Sequence, residues 1–432
     1  MKKAPPPTAR GVATAVLYRV ARDQAYATPT LDAEIRRAGL DRRDAALATA
    51  IVYGTLRSLP SLDAALDAHL RDPEGLDPWA RAGLRAAAFQ LRHLPRVPPR
   101  AIVHEAVDVV RAGRGEKLAR LTNAVLRKVR RPDDAAPPER IEVPEWIAAA
   151  LERSLGAERA AQLTRPIQLP PPLDLRVLPR EGAEPMLDRL RTAEPEAEIV
   201  EAGPTALRVR GAGDPRQLPG FETGELLVQE LGSQRAADAL GAAPGERVAD
   251  ACAGRGGKTL ALLHHVGPTG AVVALELHEA RLDQLEERAA RLGLPGHLET
   301  LAVDLRVGTG GLEANFDRVL VDAPCTGLGT LGRRPELLWR LAPGDVEKLQ
   351  KTQRAVLAKA SELVGSGGVL QFVVCSPLAE EGADVATGFD RHHPDFERIP
   401  TPGADADHVL RLGPWNDAHP TDAYQVVRWR RR

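Results

Sequence analysis

Two cysteines stand where a thiol can do chemistry. Cys325 follows FDRVLVDAP and Cys375 follows GGVLQFVV, each just past an apolar run that reads as a buried strand. In a parallel sheet such positions open onto one ligand-binding edge. Carbon 5 of a pyrimidine is a poor nucleophile. A thiolate that adds at carbon 6 turns the ring into an enamine, and carbon 5 can then attack an electrophilic methyl group. One thiol for attack and one for resolution would explain two thiols on one edge. Cys252 also follows an apolar run, but a single cysteine there is read as packing. Three scattered cysteines make neither a disulfide framework nor a four-ligand zinc site, so no metal is expected.

Such chemistry needs a donor pocket, and ERVADACAGRGGKTLALL supplies the parts: a short apolar run, an acid, a Gly-rich turn and a helix start. A Walker A loop would fit the GKT ending, but Cys252 occupies its first glycine position. A nicotinamide fingerprint is only half present in AGRGGK. S-adenosylmethionine remains. Glu276 lies 19 residues beyond Gly257, where an acid for ribose hydroxyls belongs. Asp304, after the next short apolar run, is the expected partner of an adenine amino group. At the fourth strand, amino-group methyltransferases place an Asp or Asn, two prolines and an aromatic. Here Asp322 and Pro324 are present and Cys325 replaces the aromatic.

The positioning elements follow from the pattern. Residues 10 to 131 read as helix after helix, and residues 1 to 131 carry 24 Lys and Arg against 13 Asp and Glu. The remainder carries 34 against 46, so a basic helical part is joined to an acidic one, an arrangement suited to a polyanion partner. The strings VYGTLRSLPSLDAAL, LDPWARAGLRAAAFQL, RVPPRAIVHEAVDVVR and LTNAVLRKV resemble the NusB-type RNA-binding fold. That resemblance implies RNA contact from the N-terminal helix, with Arg10 the best candidate and Arg19 and Arg22 weaker ones. Arg131 to Arg140 is a Pro- and Asp-rich boundary. Residues 141–225 suggest a small α+β subdomain of ferredoxin-like type, with VPEWIAAALERSLGAERAAQL as a helix pair. From there strands and helices alternate to a terminal strand in DAYQVVRWRRR, as in a doubly wound α/β sheet. The expected domains are therefore 8–131, 141–225 and 226–432: all-α, small α+β, and a Rossmann-like class I methyltransferase domain.

Read together, the DAPC and CSPLAEE strings and the NusB-like start resemble, over almost the whole length, bacterial ribosomal RNA (cytosine-5) methyltransferases of the RsmB or Sun type, within the Nop and Sun family. The resemblance implies that Cys375 is the nucleophile, that Cys325 assists breakdown of the adduct, and that Asp322 bonds the base. It also brings Lys258 into the active site and gives the donor to Ala253, Gly254, Arg255, Gly256, Gly257 and Lys258 with Glu276, Asp304 and Asp322. Arg333 and Arg334 resemble positions beside the RNA, whereas Lys351 and Arg354 read as surface charge. Small-subunit (16S) ribosomal RNA is the expected substrate. The alternatives are transfer RNA or 23S ribosomal RNA with the same chemistry, or a non-catalytic assembly factor. The chain departs from the pattern at Gly254 and Arg255, where Ala-Pro is usual, at Val374 for Thr, and at Gly382 for Asn; a looser loop and slower turnover are expected. With 43% hydrophobic and 27% charged residues and no apolar run of about 18, a cytoplasmic monomer without a membrane partner is expected.

Overall fold

The computed structural model describes residues 6–130, 140–165, 171–178, 182–294, 296–416 and 419–432. The expected boundary at Arg131 to Arg140 lies, except for Arg140, outside the described residues. The chain divides into two compact units. One comprises Met1–Ile147, Thr164–Pro171 and Leu331–Arg340; the other comprises Ala148–Leu163, Pro172–Thr330 and Leu341–Arg432.

The first unit is helical: α1 (Ala9–Asp23), α2 (Ala27–Ala38), α3 (Arg42–Arg57), α4 (Leu59–Asp67), α5 (Pro78–His93), α6 (Pro99–Arg114) and α7 (Glu116–Leu126). The starts obey capping chemistry. Thr8 and Asp41 accept from the backbone N–H groups of Gly11 and Asp44, and Asp77 accepts from Trp79 and Ala80 with Pro78 at the first helical position. In α2, Pro29 sits in the first turn, where its missing N–H is an orphan in any case. The apolar faces of α1, α3 and α5 close around Val12, Val16, Ile51, Val52 and Trp79. At Gly54 an added methyl would lie 2.0 Å from the Phe89 ring, so α3 meets α5 at a distance only glycine allows.

Residues 331–340 belong to this helical unit although they follow the Cys325 loop. The Trp339 indole donates to the Leu56 carbonyl at 2.7 Å, Glu336 accepts from the Ala27 amide at 3.0 Å, and the buried Arg57 guanidinium donates to the Gly332 carbonyl. Burial pushes the Arg57 pKa down to about 10.

Helix α8 (Glu145–Leu163) is the expected pair, broken at Gly156, whose φ of 75° suits glycine. The second unit then forms a small antiparallel sheet of β1 (Leu173–Val177), β2 (Glu198–Gly203), β3 (Ala206–Arg210) and β4 (Leu226–Val228), with α9 (Glu184–Ala193) after β1. Its order β2-β3-β1-β4 is that of a split βαβ fold, with a single 3₁₀ turn at Pro215–Gln217 before β4 instead of a second helix. The expected subdomain end at residue 225 is corrected: Leu226, Leu227 and Val228 pair with Val177, Arg176 and Leu175 of β1, so that ladder holds β4 in the small sheet.

Next come α10 (Leu231–Asp238), β5 (Arg247–Asp250), α11 (Gly257–Val266), β6 (Ala271–Glu276), α12 (Glu279–Leu292), β7 (His297–Ala302), β8 (Phe316–Asp322), α13 (Pro343–Ser361), β9 (Val364–Val374), α14 (Ala383–His392), β10 (Phe396–Ile399), β11 (Leu410–Leu412) and β12 (Tyr424–Arg431). The main sheet runs β10-β12-β9-β8-β5-β6-β7, with β11 added on β12. Strands β7, β6, β5, β8 and β9 are parallel; β12 and β10 are antiparallel. Alternate residues serve opposite faces. Ala249, Val273, Val319 and Phe372 pack with α13 and α14, whereas Val248, Val272, Leu320 and Val373 pack with α10, α11 and α12. The strand order reverses between β5 and β8, which fixes the ligand crevice at their carboxyl ends.

Candidate active site

Four of the five parallel strands deliver polar residues to the edge at or just past their ends: Asp250 ends β5, Glu276 ends β6, Asp322 ends β8, and Cys375 lies just past β9. After β5 the chain turns through Gly254 (φ 56°) and Gly256 (φ 77°) into α11. A methyl on Gly256 would strike Leu285 at 2.2 Å, so a side chain there is excluded twice. The Gly254 amide donates to Glu276 at 3.0 Å. Glu276 also accepts from the His278 amide at 3.1 Å and from Arg281 at 3.0 Å, which fixes its carboxylate at the rim of a cavity of about 460 Å³.

The structure brings Gly254, Glu276, Asp304 and Asp322 together on the lining of that cavity, and Ala253, Gly256 and Gly257 shape the turn beside it. Asp304 is gripped on both oxygens by Arg306, at 2.6 and 2.9 Å, and the Arg306 side-chain and backbone hydrogen bonds hold its pKa down at about 2. Arg255 is different: its side chain is exposed, and Arg288 holds its carbonyl at 2.8 Å. That bond braces the Gly254-Arg255 departure. Sequence reasoning missed Leu277, an exposed apolar side chain on the cavity; Cys252, read as packing, does pack against the core and also lines the cavity.

Beside the cavity, the Lys258 ammonium meets Asp322 Oδ2 at 2.6 Å. Burial alone would push this lysine down, but the charge and hydrogen bond of Asp322, with Cys375 and Asp250 nearby, together outweigh it and hold the pKa above the ordinary value. The buried Tyr424 ring lies 5.7 Å from Nζ. Pro324 lines the cavity and Cys325 follows it; its Sγ is 3.3 Å from Cys375 Sγ. The hydrogen bond with Cys375, burial and the nearby charge of Glu381 push the Cys325 thiol well up. All three cysteines are free thiols.

The backbone at the thiols is tightly specified. Gly329 donates to the Cys375 carbonyl at 3.0 Å and accepts from the Ala423 amide at 2.9 Å. The other departures have local reasons. A methyl at Gly382 would meet the Gln425 carboxamide at 2.3 Å, and that carboxamide donates to the carbonyls of Ser376 and Leu378. Val374 is wholly buried in the apolar core, where a threonine hydroxyl would need a partner.

The candidate RNA residues separate. Arg10 is corrected: it is 8% exposed, its Nε donates to Gln90 at 2.7 Å and it pairs with Glu105 at 2.8 Å, so it faces helix packing, not solvent. Arg19 is half exposed beside Glu34, and Arg22 donates to Tyr18. Arg334 is exposed and Arg333 half-buried, both on the segment that belongs to the helical unit. Lys351 pairs with Glu347 on the surface, and Arg354 lines a separate cavity between α13 and α14. Among the described residues no acid, His and Cys group is placed to hold a metal, and no helix is long and apolar enough to cross a membrane.

The 16S rRNA methyltransferase RsmB/F family matches residues 237–420, and the NusB family matches residues 7–131. The ribosomal RNA small subunit methyltransferase B of Thermus thermophilus is 35% identical over 394 residues, covering 91% of this chain and 90% of its own. The chain belongs to the RsmB family. The protein of that name from Xylella fastidiosa strain 9a5c is also 35% identical, over 83% of this chain and 82% of its own. Among solved structures, PH0851 superimposes with a TM-score of 0.83 at 24% identity over 98% of both chains. A methyltransferase homolog protein from Pyrococcus horikoshii gives 0.56 at 25% identity, over 67% of this chain and 95% of its own. The two matches fall in the order observed here, a NusB helical unit followed by a Rossmann-like sheet.

Proposed function

We propose that this protein methylates carbon 5 of a cytosine in 16S ribosomal RNA through a covalent adduct on Cys375. The observation that carries the reading is the 3.3 Å Cys325–Cys375 pair beside the Lys258–Asp322 ion pair, at the edge of the cavity that Asp322 and Pro324 line.

The cavity fits S-adenosylmethionine. It combines a fixed carboxylate at Glu276, a glycine turn that allows close backbone approach and an apolar edge at Leu277. Gly254, Glu276, Asp304 and Asp322 would hold the donor, which supplies an electrophilic methyl group when bound. The residues of the chain do the rest. The Cys375 sulfur adds to carbon 6 of the base, and carbon 5 becomes nucleophilic. The Lys258 ammonium, held by Asp322, would stabilise the charge developing on the ring, and Asp322 would bond the base. After methylation the carbon 5 proton goes to a base, the carbon–sulfur bond breaks and the electron pair returns to the Cys375 sulfur. The Cys325 thiol can hydrogen-bond to that departing sulfur. The base must be unstacked for its carbon 6 face to be reached, so single-stranded or flipped cytosine is the substrate form.

The test is methyl transfer from labelled donor to 16S RNA, with bisulfite mapping of the product. C375A is expected to abolish label and adduct. C325A is expected to accumulate a slow-migrating protein–RNA species. Unchanged methylation in C375A would overturn the reading, and RNA binding without any 5-methylcytosine from the wild type would favour an assembly role.

A further inference from the structure

The two thiol loops are joined by a residue that the proposed chemistry does not use. Glu381 lies six residues past Cys375 and is completely buried. Its Oε1 accepts from the Thr326 amide at 2.8 Å and from the Gln353 carboxamide at 3.1 Å, and its Oε2 accepts from the Thr326 hydroxyl. Thr326 is the residue after Cys325. Gln353 uses the same carboxamide to donate to the carbonyl of Pro324, the residue before Cys325, at 2.9 Å. Thr326 also reaches across to the Ser376 hydroxyl, beside Cys375, at 3.3 Å. One carboxylate in the Cys375 loop therefore grips both sequence neighbours of Cys325, directly on one side and through Gln353 on the other.

Burying a carboxylate among amide and hydroxyl donors is expensive, and apolar packing would serve stability as well or better. The arrangement has to be explained by placement. We propose that Glu381 is the positioning residue that sets the spacing of the two thiols, holding Cys325 Sγ within contact of Cys375 Sγ. Without it the Cys325 loop keeps its strand but loses the tie that aims the sulfur. The charge acts in the same direction, since a fixed carboxylate disfavours a second anion at Cys325 and keeps a proton there for the neighbouring sulfur. The meaning of this spacing for catalysis rests on the thiol chemistry proposed above, but its test does not.

Phenylarsine oxide condenses with two adjacent thiols, forming two arsenic–sulfur bonds and releasing one water, and needs neither RNA nor methyl donor. Full-length wild type is expected to take up one equivalent that survives a monothiol wash, with the bridge mapped by peptide mass spectrometry to Cys325 and Cys375 and not to Cys252. E381L should be captured at least about tenfold more slowly, because misplacing a reacting pair by an ångström costs one to two orders of magnitude, and E381Q, which keeps an acceptor for the Thr326 amide, should return to within about threefold of wild type. T326V removes one donor at constant volume and should slow capture in the same direction, so the test survives if E381L fails to fold. A wild-type capture rate in E381L, or in T326V where E381L does not fold, would overturn the proposal. So would E381Q being as slow as E381L, or the absence of a Cys325–Cys375 bridge in the wild type. Failure of the thiol mechanism would instead show as methylation by C375A, with arsenical capture by the wild type unaffected.

Discussion

Replacing Asp250 with Asn should stabilise this protein at neutral pH. Asp250 ends β5 at 1% exposure and accepts from the Thr259 hydroxyl at 2.7 Å. Burial raises its pKa from 3.8 to about 6, with the Thr259 bond only partly opposing it. A carboxyl whose folded pKa is raised binds its proton more tightly in the native state, so native stability is lost as pH rises from the unfolded value to the folded one. The shift is about two units, and at 1.36 kcal/mol per unit the ionised form costs about 3 kcal/mol above pH 6 to 7. Asn keeps an acceptor and carries no charge. The expected result is a D250N gain approaching about 3 kcal/mol at pH 7.5, shrinking through pH 5 and vanishing near pH 4. Guanidinium midpoints of wild type and variant, compared at each pH with equal slopes, measure it. A gain independent of pH between 5 and 8, or a variant less stable than wild type at pH 7.5, would refute the argument.

Three further outcomes follow from the geometry. R10M should destabilise the helical unit by about 1–3 kcal/mol, because Gln90 and Glu105 lose their partner, while the salt dependence of RNA binding stays unchanged in filter assays. G329A should destabilise the second unit by about 1–3 kcal/mol in thermal melts and lower methyl transfer, since the new methyl would lie 2.0 Å from the Ala423 carbonyl oxygen and 2.8 Å from that of Cys375. K258Q should lower kcat about 100-fold with little change in RNA affinity, because an ammonium fixed by Asp322 acts on charge that develops only in the reaction.

The large features were legible because they are written in local pattern. The glycine turn, the acid 19 residues beyond it and the thiols after apolar runs follow from spacing within single strand-turn units, and the sheet brings them to one edge. What was not legible depends on partners far away in the chain. Arg10 looks the same in sequence whether it faces RNA or Gln90, 80 residues on. Nothing local in CSPLAEE separates Glu381 from Glu380; its role depends on Thr326, 55 residues earlier. The loss of a side chain at Gly382 makes sense only with Gln425 in that space. Strand β4 looked like the opening of the catalytic sheet because three apolar residues cannot announce which ladder they join. The segment after Cys325 continues a catalytic loop in sequence, and only Trp339 and Glu336, bonded to Leu56 and Ala27, reveal its membership of the helical unit.

That membership bears on how the chain is made. Residues 9 to 126 leave the ribosome before residues 331–340, so for that interval their unit lacks the decapeptide that covers Arg57 and takes the Ala27 amide. At about 5–20 residues per second, some ten to forty seconds of synthesis separate the end of α7 from the piece that completes the unit. A gene fragment ending near residue 131 would therefore encode a helical unit with an open seam. A fragment holding only the catalytic part would carry Trp339 and Glu336 away from their partners.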